Sequence, residues 1–189
     1  MHIAAYANWD EQKQIRTSTL LIVGFDETIV GNVVMKNPGS ARPLESLSLR
    51  EDGKLMFSVD ATMYAIADLF ELYKTGGTVR IFNLSDTREA DFSKARKNLN
   101  CSPGIDVVKE INAFPDIPTY LGWGDLYKDE RFSDKARKIF DAARCHNKYL
   151  KKNIEDNPFF HPLYLMRYGR NIPECAAVRD SFRNDLIHD

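Results

Sequence analysis

The sequence predicts an α/β fold of three layers (α/β/α), in which helices cover both faces of a central, mostly parallel sheet of four strands. The first reason is that short aliphatic runs alternate along the chain with longer segments whose apolar residues recur at helical spacing. The second is that strands separated by helices are typical of parallel sheets. Because the 189 residues contain no internal repeat and no linker-like tract, we expect one domain, residues 1–189.

Four segments rich in aliphatic and β-branched residues are the predicted strands. They are residues 19–25, 29–35, 78–84 and 118–122. A turn of three residues separates the first two segments, which favours a hairpin between them.

Helical spacing of apolar residues, together with end signals, defines the predicted helices. They are residues 61–74, 91–98, 131–149 and 176–187. The first has Asp60 or Thr62 as its candidate N-cap, and Gly76-Gly77 marks its end. The pattern at 107–114 fits either a helix or a strand.

Composition excludes several classes of protein. The formal net charge of -1 gives no overall attraction to nucleic acid, although local basic surfaces remain available for phosphate contacts. Three widely spaced cysteines argue against a disulfide framework and for a reducing, cytoplasmic location. No CxxC or HExxH motif is present, so we expect no metal and no other cofactor. No apolar run is long enough for a membrane span, and we expect a monomer without a membrane partner.

Polar or conformationally special residues follow three of the predicted strands. Asn37-Pro38-Gly39 follows the second strand, Asn83 lies at the end of the third, and Gly122-Trp123-Gly124 follows the fourth. In α/β folds, ligands bind outside the carboxyl ends of the strands. The sequence therefore predicts a ligand site where these three segments meet.

Four segments occur in a characteristic order along the chain. They are VVMKNPGSA (33–41), VRIFNLSDT (79–87), YLGWGDLYKDERFSDKA (120–136) and HPLYLMR (161–167). This set resembles the uracil-DNA glycosylase superfamily, in which GxNPG- or GQDPY-like, Asn, Leu-Trp-Gly-like and HPSP-like segments follow one another. The first segment has an NPS-like loop and the last an HPLYL-like loop. In these two features the chain is more similar to a distant branch of the superfamily that consists of small bacterial and phage proteins. The resemblance covers roughly residues 30–170 and implies a glycosylase-like α/β domain.

The resemblance also implies an activity and its residues. Such enzymes flip a nucleotide out of DNA and hydrolyse the bond between base and sugar. By this resemblance Asn37 positions the water, His161 donates a hydrogen bond to the anionic base, and Asn83 reads the base edge. Gly39 falls where strict uracil enzymes carry a tyrosine, so a 5-modified pyrimidine, including a phage-modified cytosine, is an expected substrate. No lysine matches a Schiff-base position, so we expect a monofunctional glycosylase that leaves an abasic site.

The expected partner is DNA, and the resemblance assigns further residues to it. Leu163 matches the loop whose apolar side chain wedges into the space that the flipped base vacates. The candidates for phosphate contacts are Lys36, Ser40, Arg42, Arg167 and Arg170.

Each candidate residue also has a purely structural interpretation. Asn37 suits a turn before proline, Asn83 suits a cap for the turn after its strand, and His161 suits a packed loop. Trp123 between two glycines is typical of a core residue. Asp60 and Asp86 are the carboxylates nearest these motifs. Asp60 is typical of a helix cap, although either carboxylate, if it faced the sugar, would supply the base that an amide cannot.

Two other functions remain open at this point. A non-catalytic nucleotide- or nucleic-acid-binding protein of the same fold is favoured by Lys36 and by the amide, rather than a carboxylate, at Asn37. A small-molecule enzyme that acts on a free nucleotide in the same cleft is the third hypothesis.

Overall fold

The computed structural model describes residues 2–44, 49–88 and 105–186 of the chain. The strands are β1 (Ile3–Asp10), β2 (Ile15–Val23), β3 (Ile29–Met35), β4 (Leu55–Phe57), β5 (Gly77–Asn83) and β6 (Thr119–Gly122). The helices are α1 (Ala61–Leu69), α2 (Leu72–Thr75), α3 (Val107–Asn112), α4 (Glu130–Arg144) and α5 (Pro173–Leu186). Short 3-10 turns occupy Leu126–Lys128 and Ile154–Asp156, and a π-helical turn occupies Tyr164–Tyr168. The helix predicted at 91–98 lies outside the described residues.

The described strands form one mixed sheet of six, in the order β4-β1-β2-β5-β3-β6. β3 runs parallel to both β5 and β6. β1 pairs antiparallel with β2 and β4, and β2 joins β5 antiparallel. The α/β class is confirmed, but the prediction of four mostly parallel strands is wrong.

Two strands escaped prediction because they lack the usual signals. β1 begins Ile-Ala-Ala-Tyr-Ala, and alanine is depleted in strands. Ala5 and Ala7 are nevertheless fully buried in the core. β4 is only three residues long, which is too short for an alternating pattern to show.

The predicted hairpin between the first two predicted strands is also wrong, because β5 lies between β2 and β3. Residues 31–35 of β3 and all of β5 are buried. Parallel strands covered on both faces read as near-continuous apolar runs, which is the pattern of these two segments. The five residues between β2 and β3 (24–28) therefore connect two strands that are not neighbours, instead of forming a tight turn.

Helices pack on both faces of the sheet because neighbouring residues of a strand point to opposite sides. Val33 and Met35 contribute to a core shared with α1 and α5. Val34 contributes to a second core shared with α3 and α4. This places the carboxyl ends of β3, β5 and β6 between two helical layers.

α1 starts where the sequence predicts and ends early. The side chain of Asp60 accepts a hydrogen bond from the Met63 N–H at 3.0 Å, so Asp60 is the N-cap. The predicted helix 61–74 is interrupted at Glu71, whose φ of 55° starts the separate helix α2. The Phe70 ring before this break packs on β3 at Gly31, in the space that a side chain there would occupy.

The other helices refine the predicted boundaries. The ambiguous segment at 107–114 forms α3, and α4 ends at Arg144 instead of residue 149. Within the described ranges, no helix has the length and apolar character needed to cross a membrane.

Candidate functional site

The three predicted strand ends meet at one edge of the sheet. Met35, at the end of β3, is the register partner of Asn83 on β5 and of Gly122 on β6. The loop that follows Met35 therefore lies between the other two strand ends. The convergence that the sequence predicts is present in the structure.

A cavity of about 270 Å³ opens at this edge. It is lined by Arg16, Met35, Lys36, Asn37, Pro38, Gly39, Ser40, Asp60, Thr62, Met63, Ile66, Ile81, Asn83 and His161. The two predicted catalytic residues and the two predicted base-binding residues all belong to this lining. Two of the predicted phosphate contacts, Lys36 and Ser40, belong to it as well.

Two arginines hold the loop after β3 in place. Arg16, at the start of β2, donates a hydrogen bond from its Nη2 to the carbonyl oxygen of Pro38. Arg88 donates to the carbonyl oxygens of Ser40 at 2.8 Å and Ala41 at 3.1 Å. Hydrogen bonds from guanidinium groups are strong and directional, so these two side chains stabilise the loop conformation.

Gly39 is required by the shape of this loop. Its φ of 69° lies in the left-handed region, which costs a residue with a Cβ about 1 to 2 kcal/mol. A Cβ at this position would come no closer than 3.7 Å to Asp60 Oδ2, which is ordinary contact. The backbone conformation, rather than lack of space, therefore explains the glycine by itself.

Asn83 places an unsatisfied acceptor in the wall of the cavity. Asn83 is 3% exposed, and its Oδ1 has no hydrogen-bond partner in the described part of the chain. The following turn is closed by Ser85, whose hydroxyl accepts from the Thr87 N–H at 3.4 Å, so this turn has its own side-chain acceptor. A buried acceptor without a donor costs about 1 to 3 kcal/mol, which a ligand N–H would recover.

His161 is held as a neutral imidazole. Its Nδ1 accepts a hydrogen bond from the Leu163 N–H at 3.2 Å, so in the neutral ring the proton is assigned to Nε2. Burial, and then the charge of Lys36, lower its pKa to about 4 from the ordinary 6.5. At neutral pH the ring is therefore an uncharged N–H donor on the cavity wall.

The two glycines around Trp123 position the loop that carries His161. A Cβ at Gly122 would lie 2.8 Å from Cδ of Pro162, so the bare backbone lets this proline pack against the end of β6. Gly124, with φ 64°, donates its N–H to the carbonyl oxygen of Phe159 at 2.7 Å. Trp123 itself is fully buried, and its ring centroid lies 5.1 Å from that of Phe159. Trp123 is therefore a core residue.

Lys36 lies where the first cavity meets a second one. The second cavity, of about 460 Å³, shares Lys36 and His161 with the first. Its other lining residues include the aromatic side chains Tyr127, Phe160 and Tyr164. Burial lowers the pKa of Lys36, although the charge of Asp125 opposes this.

Arg16 is a site residue that the sequence analysis missed. It is 3% exposed, its Nε and Nη1 have no partner, and no carboxylate lies within 4 Å of it in the described residues. Burial lowers its pKa to about 10. The sequence signal was absent, because only the antiparallel pairing of β2 with β5 brings the start of β2 to this edge.

Four predicted DNA contacts do not line the 270 Å³ cavity. Arg42 lies in a separate cleft with Trp9 and Arg88. Arg170 lines another cleft beside the π-helical turn, and Arg167 is exposed on that turn. Leu163 is half-buried, whereas its neighbour Tyr164 is 41% exposed and lines the second cavity.

No cluster of three or more potential metal ligands occurs in the described residues.

Comparisons with known protein families, curated proteins and solved structures find no match to this chain. Any functional conclusion therefore depends on the geometry and chemistry of the cavity.

Proposed function

We propose that the protein is a monofunctional DNA glycosylase of the uracil-DNA glycosylase superfamily. It hydrolyses the bond between deoxyribose and uracil, or a 5-modified pyrimidine, after the nucleotide is flipped out of the DNA. The observation that carries the proposal is that Asn37, Asn83 and His161 come from three distant segments and line one small cavity. Their order along the chain is the order of the superfamily motifs.

Recognition of the base is supported by the unpaired acceptor of Asn83. A pyrimidine such as uracil presents an N–H between two carbonyl groups, and this N–H would satisfy Asn83 Oδ1. The cavity volume of about 270 Å³ is below the range of about 300 to 1,000 Å³ typical of sites for drug-sized ligands. Such a volume suits a single pyrimidine ring.

Departure of the base is supported by His161 and Arg16. When the C–N bond breaks, its electron pair goes to the ring nitrogen, and negative charge spreads to the base oxygens. The neutral His161 ring donates an N–H without first having to lose or gain a proton. The buried positive charge of Arg16 in the same lining further favours an anion in the cavity.

Attack on the sugar requires a water molecule, and the proposal assigns its orientation to Asn37. The backbone of its loop is held by Arg16 and Arg88, which supports a preorganised position for Asn37. An amide orients water but does not accept its proton, which leaves most of the rate enhancement to stabilisation of the leaving base. The products are a free base and an abasic site.

The test uses single- and double-stranded oligonucleotides that carry uracil, thymine opposite guanine, or 5-modified cytosine. Incubation followed by hot alkali is expected to cleave the strand at the modified position, and omission of alkali is expected to leave it intact. Asn37→Ala and His161→Ala are expected to lower the rate by at least about a hundredfold. The matched controls His146→Ala and Asn153→Ala, which lie outside the cavity lining, should retain activity.

Each other outcome contradicts a defined part of the proposal. Cleavage without alkali would show a bifunctional enzyme, with Lys36 as the first lysine to replace. Binding without cleavage, unchanged in Asn37→Ala and His161→Ala, would exclude the glycosylase and favour the non-catalytic alternative. Neither binding nor cleavage would exclude both functions.

A further inference from the structure

The cavity contains a carboxylate that the proposed mechanism has not used. Asp60 is the acidic residue among the lining side chains of the cavity. The same lining contains Arg16 and Asn83. Each of these two residues is 3% exposed, and each has buried side-chain atoms without a hydrogen-bond partner in the described residues. Both features point to a ligand in contact with this wall.

The two oxygens of Asp60 have different environments. Oδ1 accepts the hydrogen bond from the Met63 N–H at 3.0 Å that caps α1. Oδ2 lies 3.7 Å from the point where a side chain on Gly39 would begin. Oδ2 therefore lies beside the loop of Asn37, and the capping bond leaves its lone pairs available.

We propose that Asp60 is a catalytic residue that acts together with Asn37. This inference rests on the proposed function. Asn37 orients the water, and Asp60 Oδ2 accepts a proton from it as the water oxygen bonds to C1′ of the deoxyribose. The C–N bond breaks at the same time, its electron pair leaves with the base, and the base later takes up a proton. Water and nucleotide thus give the abasic sugar and the free base, with no other reactant.

The charge of Asp60 contributes in a second way. The sugar develops positive charge as the C–N bond stretches, and a nearby carboxylate stabilises that charge. Because this cation is highly electrophilic, the attacking water readily gives up its proton to a nearby carboxylate. The division of labour explains how an amide at Asn37 is compatible with hydrolysis.

Asp60→Asn separates the catalytic role from the capping role. Asparagine is as good an N-cap as aspartate, so the bond to Met63 is expected to persist. The thermal midpoint is expected to fall only slightly, through the lost attraction between the Asp60 carboxylate and the buried charge of Arg16. The excision rate under single-turnover conditions is expected to fall by at least about a hundredfold. Asp60→Ser, which also retains a capping oxygen, should behave in the same way.

The chain provides a matched control for this substitution. Asp106 caps α3 by the same bond, accepting from the Lys109 N–H at 3.2 Å, and does not line the cavity. Asp106→Asn should therefore excise at the rate of the unmodified protein.

The outcomes distinguish this inference from the proposed function. If the unmodified protein excises a base and Asp60→Asn and Asp60→Ser excise it equally fast, Asp60 is only a cap and the inference is wrong. If the unmodified protein excises no base from any DNA in the panel, the proposed function fails, and the role of Asp60 fails with it. A selective loss in both Asp60 variants, with Asp106→Asn unchanged, supports the inference.

Discussion

The guanidinium of Arg16 donates a hydrogen bond to the carbonyl oxygen of Pro38, one residue after Asn37. The rest of this guanidinium is buried over the Phe57 ring, 5.4 Å from its centroid, and has no carboxylate within 4 Å in the described residues. A buried charge with no carboxylate within ion-pair distance is costly, and proteins retain such groups chiefly where they serve a ligand or a loop. Arg16 thus links the start of β2 to the proposed water-binding loop.

Replacing Arg16 should therefore affect activity more than stability. In Arg16→Met, loss of the bond to Pro38 is offset by relief of the buried charge, so the free energy of unfolding should change by less than about 1 kcal/mol. The excision rate should fall at least about tenfold, because the loop is no longer preorganised. Urea denaturation and single-turnover excision measure the two quantities.

A surface arginine provides the contrast to Arg16. Arg50 pairs with Glu27 at 2.8 Å and with Asp52 at 3.5 Å, and it does not line the cavity. Arg50→Met should lower stability slightly and leave excision unchanged. An Arg16→Met protein that excises at the normal rate would show that Arg16 has no role in the site.

Replacing Asn83 should raise stability while it abolishes function. Asn83 Oδ1 is buried without a donor, and leucine has a similar size but no polar group to leave unsatisfied. Asn83→Leu is expected to increase the free energy of unfolding by about 1 kcal/mol and to reduce excision to background. Chemical denaturation measures the free energy of unfolding, and the alkali assay measures excision. A stability loss together with normal excision would show that the amide is a structural residue.

The lowered pKa of His161 should appear in the pH dependence of stability. Its folded pKa is about 4 and its ordinary value 6.5, so between these pH values the unfolded chain binds a proton that the folded chain does not. Acidification through this window therefore destabilises the fold, by up to about 3 kcal/mol from the rule of about 1.4 kcal/mol per pKa unit. Above pH 6.5 both states are neutral and the dependence ends.

The variant His161→Gln isolates this contribution. It should lose less stability than the unmodified protein when the pH is lowered from 7 to 5, measured by urea denaturation at both values. Equal losses in the two proteins would mean that His161 titrates normally and is not held neutral by its surroundings.

The contact between Gly122 and Pro162 should couple the end of β6 to His161. A Cβ on residue 122 would lie 2.8 Å from Pro162 Cδ and 3.2 Å from Met35 Sδ. Gly122→Ala is expected to cost about 1 to 3 kcal/mol of stability and to lower excision, because the His161 loop must shift. Pro162→Ala in the same chain should restore part of both. Simple additivity of the two substitutions would contradict this coupling.

The parts of the site that were predictable follow strands with strong signals. β3 and β5 are covered on both faces and read as aliphatic runs, so the positions of Asn37 and Asn83 at their ends could be inferred. His161 could be placed only by resemblance, because no local pattern connects its loop to Gly122. The contact between Pro162 and the end of β6 depends on tertiary packing.

The parts that were not predictable depend on long-range pairing. Arg16 reaches the site only because β2 is antiparallel to β5, whereas the sequence favoured a hairpin of β2 with β3. β1 is rich in alanine and β4 is short, so neither showed the period of a strand. Asp60 was recognisable as a helix cap from the sequence. Its position in the cavity lining was not, because it depends on the tertiary packing that brings Asp60 Oδ2 beside Gly39.

The most direct test of the central claim is to identify the released product. Oligonucleotides with uracil or a 5-modified pyrimidine are incubated with the protein in ¹⁸O-labelled water, and the products are analysed by mass spectrometry. The proposal predicts one free, unlabelled base for each abasic site, with the heavy oxygen on the sugar. If no free base appears from any of these DNAs under conditions in which the protein is folded, the protein is not a DNA glycosylase.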